Sequence, residues 1–385
     1  MIGHGIAELV FWLSLGAVVY TYAGYPMLVW AAHRVTRRRV RPGHLEPTVS
    51  IIISAYNEAK HLAAKLENTL ALDYPADRVE VLVGSDGSSD DTVIIAERYA
   101  DRGVRCLSFP LNRGKTAVQN DCAQLARGDI LVFMDAASLC NQKALRELVA
   151  PFADRRVGVV AGRVVFGEGE GRLVERAQGI YWRYEQALKR WESKCGALVG
   201  VDGPLYAVRR ELFPMIRPEM MSDFLVPLKV RQAGYWAVLA PQAIVFEEPT
   251  ASPWHEFQTR RRLVLRGLRA LEGNLDLLNP LRSGWLAWQI WSRKLLRWSA
   301  GMMFLAVTIT ALLLSHRGLY QAAATVCLLM VATALAAGWR DKWKTLPRLF
   351  AFPFYFVLVN WAAVAGWMDF LQGKQVVSWQ PVRDT

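Results

Sequence analysis

Acidic side chains are in short supply. The chain of 385 residues carries 34 Asp and Glu against 46 Lys and Arg, a formal net charge of +12 at neutral pH. Cysteine is scarcer still. Cys106, Cys122, Cys140, Cys195 and Cys327 form no CxxC pair and no Cys/His metal spacing. That excludes a disulfide scaffold and a zinc module, and the five read as reduced, mostly buried thiols. Low apolar content is also absent: hydrophobic residues make up 53%, which excludes a disordered chain. What is present, then, is an apolar excess together with a basic excess, and each has an address.

The apolar excess is concentrated in four charge-free runs. Residues 9–32 form one of 24 residues, 298–315 one of 18, 318–339 one of 22 and 349–368 one of 20. A helix needs about 20 apolar residues to cross a bilayer core of about 30 Å, so all four read as spans; the competing reading is a buried core helix. No Lys or Arg precedes the first run, so it lacks the basic flank of a cleaved signal peptide. Arg34, Arg37, Arg38, Arg39 and Arg41 follow it, and Arg340, Lys342, Lys344 and Arg348 separate the third and fourth runs. The positive-inside rule puts both groups in the cytoplasm and the N-terminus outside. Four spans put the tail from Gly373 outside; the alternative is that Pro353 breaks the fourth run into a re-entrant segment and returns the tail inside. Residues 271–297, with Trp285, Trp288, Trp291, Arg293 and Lys294, read as an amphipathic helix in the membrane interface. The alternative there is the start of the next span.

Between the first span and the rest the composition changes. β-rich runs at 49–54, 79–83, 104–108 and 130–134 alternate with helical patterns at 58–70, 89–100 and 115–126. Such alternation predicts a mostly parallel, Rossmann-like α/β sheet, with ligands at the carboxyl ends of the strands. The segments after those runs carry Tyr56-Asn57-Glu58, Asp86-Gly87, Gly114-Lys115 and Asp135-Ala136-Ala137. Each alone reads as a turn or a helix start, and the Gly114-Lys115 pair lacks the Walker A spacing. Together they put three acids and a cation on one sheet edge. That is the equipment of a nucleoside-diphosphate site.

In the order and spacing of these motifs, residues 49–269 resemble the cytoplasmic catalytic domain of inverting family 2 glycosyltransferases, which have the GT-A fold. The flanks resemble the bacterial membrane-bound branch that builds exopolysaccharide or capsule, on Tyr20–Pro26, Ser292–Trp298 and Ser378–Arg383. The resemblance implies one N-terminal and about three C-terminal transmembrane helices around that domain. Its divisions are 1–33 (anchor), 34–270 (GT-A domain), 271–297 (interface helix), 298–370 (spans) and 371–385 (tail). It implies a multi-pass protein of the bacterial inner membrane with its catalytic domain in the cytoplasm. Tyr56, Asn57 and Glu58 would border the nucleoside pocket, Asp86 the base, and Lys115 the ribose and diphosphate. Asp135 would hold a divalent cation, Mg²⁺ or Mn²⁺. Gly203, in Val201–Arg210, would line the acceptor side, and Asp223 would be the catalytic base. Gln258, Arg261 and Arg262 would stand in the Gln-x-x-Arg-Trp region.

The chemistry fits those residue types. An in-line displacement at an anomeric carbon needs a carboxylate to take the acceptor's proton. Asp223 sits in the mostly apolar stretch 220–227, which raises a carboxyl's pKa toward a useful range; it can equally cap the helix that follows. The leaving diphosphate needs positive charge, from a cation on Asp135 or from Arg260, Arg261 and Arg262. That arginine run also reads as a face toward lipid headgroups.

Two departures from the family pattern stand out. Ala137 replaces the second acid of Asp-x-Asp, which implies a weaker or less selective cation site. Arg262 stands where processive synthases have Trp, which favours single sugar additions. The expected partners are a nucleotide-diphosphate sugar, a lipid-linked or growing glycan acceptor, and membrane lipids. Nucleic acid is not expected, because the Arg groups flank the spans. The alternative function is a non-catalytic relative that scaffolds a polysaccharide synthase complex. A transporter is disfavoured, since the runs carry no internal charge pairs.

Overall fold

The structure is a computed structural model. It describes residues 2–36, 40–41, 43, 45–167, 173–249, 252–339 and 351–376. The basic groups at 37–39 and 340–348 and the tail motif at 378–383 lie outside the described residues.

Among the described residues the α/β part is built on one sheet of eight strands: β1 (Val49–Ala55), β2 (Val79–Asp86), β3 (Val104–Phe109), β4 (Ile130–Asp135), β5 (Leu139–Cys140), β6 (Val157–Phe166), β7 (Leu205–Arg209) and β8 (Trp236–Glu247). Their order is β3-β2-β1-β4-β7-β6-β8-β5. The first four pair in parallel, and the sheet turns mixed where β7 meets β4 antiparallel. The central strand β1 is buried on both faces, which explains its unbroken Ile51-Ile52-Ile53 run. Ile51 and Ile53 enter the core on one face and Ile52 the core on the other. The connecting helices are α2 (Ala59–Leu70), α3 (Thr92–Glu97), α4 (Lys115–Leu125) and α5 (Ala144–Val149). They follow α1 (His4–Val35), the N-terminal apolar helix. The four strands and three helices read from the sequence are all present. The second helix is the least well matched, since α3 is shorter than 89–100 and ends in a 3-10 turn at Ala100–Arg102.

Three further helices wrap the mixed half: α6 (Leu173–Lys194), α7 (Ser222–Gln232) and α8 (Pro253–Glu272). The chain then runs through α9 (Trp285–Trp298), α10 (Ala300–Leu313), α11 (Gly318–Trp339) and α12 (Ala351–Leu371).

Among the described residues, three helices are long and apolar enough to cross a membrane: His4–Val35, Gly318–Ala336 and Ala351–Leu371. One is N-terminal and two are C-terminal. The run at 298–315 differs from expectation: its helix α10 has only 14 residues, about 21 Å at 1.5 Å per residue. It joins α9 at a bend of 57°, so the two make a fourth span only if counted as one broken unit. Pro353 is the third residue of α12, and residues 340–350 before that helix lie outside the described residues. The single helix expected over residues 271–297 is observed as several short pieces. A π-turn at Trp291–Leu295 changes the winding. Trp288 stacks on Tyr25 with ring centres 5.3 Å apart, while Trp291 is exposed.

A buried charge network fastens these helices to the domain. Arg293 of α9 pairs with Glu185 at 2.5 Å and Glu192 at 3.1 Å, both on α6. Arg297 pairs with Glu185 at 2.5 Å. Tyr25 of α1 donates to Glu192 at 2.7 Å. The two π-turns, at Tyr20–Gly24 and Trp291–Leu295, meet through Tyr20 Oη and Ser292 Oγ at 2.8 Å.

Candidate active site

Parallel register brings the predicted segments to one edge. Ser54 lies beside Asp135, and Ala55 beside Ser85, so Tyr56, Asp86 and Asp135 follow on the same side. Antiparallel pairing of Met134 with Leu205 delivers 201–204 to that edge, and Asp135 N–H donates to Pro204 O at 3.4 Å. Val201 N–H donates to the Asp223 carbonyl at 3.0 Å, which fixes the first turn of α7 against this segment.

Several of the acids and amides organise loops. The Asp86 carboxylate is buried and accepts the N–H groups of Arg113 and Gly114, both at 2.8 Å. It thereby shapes the turn that presents Lys115. Asn57 adopts φ 52°, a left-handed conformation that Asn tolerates better than most residues. Its Oδ1 accepts from Ser89 N–H at 2.8 Å, and its own N–H donates to Ser88 Oγ at 3.1 Å. Glu58 is buried, and its N–H donates to Thr92 Oγ1 at 2.8 Å. Tyr56 is half-buried beside them.

Lys115 Nζ forms an ion pair with Asp135 Oδ1. Gly203 lies against Lys115 and Asp223. A methyl at Gly203 would sit 3.2 Å from Lys115 Nζ and 3.1 Å from Asp223 Oδ2. Asp223 Oδ1 is buried without a hydrogen-bond partner among the described residues. Burial pushes the Asp223 carboxyl above the usual carboxylate range; Lys115 and Arg266 pull it down without cancelling that effect. An acceptor-only oxygen, unpartnered and raised in pKa, is suited to take a proton.

The arginine run divides. Arg266 donates to Met220 O at 2.8 Å and is one of the charges acting on Asp223. Arg262 has its charge disfavoured by burial and then by Arg266. Arg260 pairs with Glu256 at 2.8 Å and donates to Tyr355 Oη at 3.0 Å. Arg261 is not brought to the cluster. Its guanidinium grips Asp369 of α12 in a two-pronged pair, with Nη2 to Oδ1 at 2.7 Å. Gln258 lies half-buried on the same helix.

Two contributors escaped sequence reasoning. Lys65 is fully buried and donates to Ser138 O at 2.9 Å, propping the loop after Asp135. Burial lowers its pKa. The signal was a lysine on the inward stripe Leu62-Lys65-Leu66-Thr69 of α2. Lys294 is the other. It interrupts the apolar pattern of α9, and its Nζ lies 5.1 Å from the Phe224 ring centre and 6.0 Å from that of Trp298.

As for a divalent cation, no group of three or more His, Cys, Asp or Glu side chains converges among the described residues. The chain offers Asp135 as an oxygen donor, beside Lys115. That donor set fits a cation shared with a diphosphate, the mode Mg²⁺ commonly adopts with one carboxylate and phosphate oxygens.

A cavity of about 960 Å³ runs from Asp223, Gly203 and Pro204 to the apolar helices, where Val18 and Val19 of α1 face Phe356 and Val359 of α12.

Comparison with known proteins follows the same lines. Residues 50–215 match the family described as Glycosyl transferase family 2. A probable glycosyltransferase of Bacillus subtilis is 26% identical over 273 residues, 64% of this chain and 63% of that protein. The hyaluronan synthase of Streptococcus pyogenes is 29% identical over 175 residues, 43% of this chain and 41% of that protein. The chain thus spans between about two-fifths and three-fifths of the curated relatives it matches. A mannosyltransferase of Pyrobaculum calidifontis, solved with GDP-Man and Mn²⁺, superposes with a TM-score of 0.68 at 22% identity, covering 96% of this chain and 99% of that one. At that identity the likeness establishes the GT-A fold.

Proposed function

Residues 50–215 are a glycosyl transferase family 2 domain, and from that premise we propose that the protein transfers a sugar from a nucleotide-diphosphate donor, with inversion, to a lipid-linked or growing glycan acceptor at a membrane. The observation that carries this reading is the Asp223 carboxylate. One oxygen is unpartnered, the other lies beside Gly203, and Lys115 and Asp135 stand next to it.

The acceptor oxygen forms a bond to the anomeric carbon while the bond from that carbon to the diphosphate oxygen breaks. The acceptor's proton passes to Asp223, and the nucleoside diphosphate leaves with the electron pair. Lys115, Arg262 and Arg266 supply positive charge for the diphosphate, as guanidinium and ammonium groups do. Tyr56, Asn57, Glu58 and Asp86 shape the nucleoside side, and Gln258 the acceptor side. A divalent cation held by Asp135 would neutralise part of the leaving group's charge. In this reading residues 34–270 lie in the cytoplasm, the helices lie in a bacterial inner membrane, and Arg34 and Arg41 mark the inner face.

The test is purified protein in detergent, assayed with a panel of nucleotide sugars. One donor should release its nucleoside diphosphate, and Asp223→Asn should abolish release. NMR of the product's anomeric configuration reads the inversion. Turnover of no donor, or unchanged turnover in Asp223→Asn, would overturn the assignment.

A further inference from the structure

The cavity that joins Asp223 to the membrane helices has a polar end and an apolar end. Three buried side-chain atoms have no hydrogen-bond partner among the described residues: Asp223 Oδ1, Asp202 Oδ2 and Arg297 Nη2. All three residues line the cavity. Buried polar groups are almost always satisfied, so three in the lining of one cavity mark the place of a ligand. Two are acceptors and one is a donor.

Lys294 adds a second donor. Its Nζ and the Asp223 carbonyl oxygen lie 3.6 and 4.0 Å from the point a methyl on Gly200 would occupy. The other cations of the lining are closed into ion pairs: Lys189 with Asp202, Arg260 with Glu256, and Arg293 and Arg297 with Glu185. Among the described residues Lys294 forms no ion pair, and its Nζ lies near the rings of Phe224 and Trp298.

The sign of the lining then decides the ligand. Its described residues include seven carboxylates and five cations. A phosphate would satisfy the donors and face an excess of carboxylates. A hydroxyl both donates and accepts, so a polyol satisfies all four groups at once. The other end is apolar on both sides, with Val18 and Val19 facing Phe356 and Val359.

We propose that this cavity seats the acceptor, and that the acceptor is a neutral glycolipid. Its sugar head lies among Asp202, Asp223, Lys294 and Arg297, and its chain lies between α1 and α12. The proposal deepens the sugar-transfer reading above and rests on it.

Three diacylglycerol lipids with identical chains test it: one bearing glucose, one bearing phosphate, and one with the bare hydroxyl. The full chain is purified in a detergent without a sugar head, and binding is read by native mass spectrometry. Free glucose and a soluble oligosaccharide are run alongside. The glucosyl lipid should bind at least tenfold more tightly than each of the other four probes, and Lys294→Met should remove most of that preference. Equal or tighter binding of the phosphate lipid overturns the neutral head. Equal binding of the oligosaccharide overturns the lipid chain and favours a growing glycan. A preference unchanged in Lys294→Met overturns the role of that lysine. The comparison of probes on the unaltered protein stands even where the variant does not fold. Binding of nucleoside diphosphate to the same preparations reports on the donor half. Its loss would count against the sugar-transfer reading and leave the lipid preference to be judged by itself.

Discussion

Lys115 and Asp223 stand against the same glycine. Added to Gly203, a methyl would lie 3.2 Å from the ammonium and 3.1 Å from carboxylate Oδ2. Contacts that short are tighter than most real Cβ contacts, and both neighbours are the working groups of the proposed site. Gly203→Ala should therefore displace Lys115 or Asp223 with the fold intact. Turnover should fall at least tenfold, since small misplacements of reacting groups have large effects. The melting temperature should move by no more than a few degrees. An unchanged kcat would show that the two groups do not need their present spacing.

Asp223 should set the acid limb of the rate profile. Only its ionised form accepts a proton, and burial raises its pKa above the ordinary value. Activity should therefore be lost as pH falls through a value above the ordinary aspartate range. Asp223→Asn should lower kcat by about 10²–10⁴. Stability should move the other way. A carboxyl with a raised folded pKa binds protons more readily folded than unfolded, so stability falls as pH rises from the unfolded to the folded pKa. At pH 7 the buried charge is a net cost, and Asp223→Asn should melt higher than the unaltered chain. At acid pH the difference should vanish. A variant that melts lower at pH 7 would mark Asp223 as a structural cap.

Glu185 should matter more for stability than any surface acid. It holds Arg293 and Arg297, and all three side chains are nearly inaccessible. Glu185→Gln leaves Arg297 without its carboxylate and Arg293 with Glu192 alone, a loss of about 3–5 kcal/mol for breaking such a buried pair. Loss of α1 and α9 from the domain should follow, read as protease cleavage between them in membranes. Arg261→Ala is the contrast. Arg261 grips Asp369 with a partly exposed side chain, so its pair is worth about 1 kcal/mol or less after screening. Donor affinity should not change, because the guanidinium points to α12. Weakened nucleotide binding in Arg261→Ala would restore it to the donor site.

The parallel half of the sheet was legible because its inner strands β1 and β4 are buried almost throughout and read as unbroken apolar runs. The acids and the lysine after them were legible because parallel register gathers strand ends at one edge. What each group does there was less legible. Asp86 looked like a ligand contact, yet its carboxylate holds two backbone N–H groups, and a carboxylate has the same letter in either role. Arg261 and Arg262 are neighbours in sequence but about 100° apart around a helix. A run of three arginines therefore cannot all serve one site. The mixed half and α9 were the least legible. Their order depends on antiparallel pairing at β7 and on two π-turns, neither of which has a periodic signature. Lys65 and Lys294 were hidden by the habit of reading lysine as solvated surface.

The cation site offers the last expectation. Asp135 has Ala137 where a second acid would stand, and its carboxylate already pairs with Lys115. A cation there would rest mainly on the donor's diphosphate, so its affinity should be low in the absence of nucleotide. Titration of activity with Mn²⁺ and Mg²⁺ should give a shallow requirement, with half-saturation falling as the nucleotide sugar is raised. Ala137→Asp adds an oxygen donor two residues from Asp135. Extra ligand charge tightens hard-cation binding, so half-saturating Mn²⁺ should drop several-fold. Lys115→Ala removes the competing ammonium and should also tighten the cation while weakening nucleotide binding. Calorimetry with Mn²⁺ and nucleoside diphosphate measures both effects without turnover. Full activity in a chelator would show that Lys115, Arg262 and Arg266 carry the diphosphate charge by themselves. In that case Ala137→Asp should depress the rate, because it would set an uncompensated carboxylate against the leaving group.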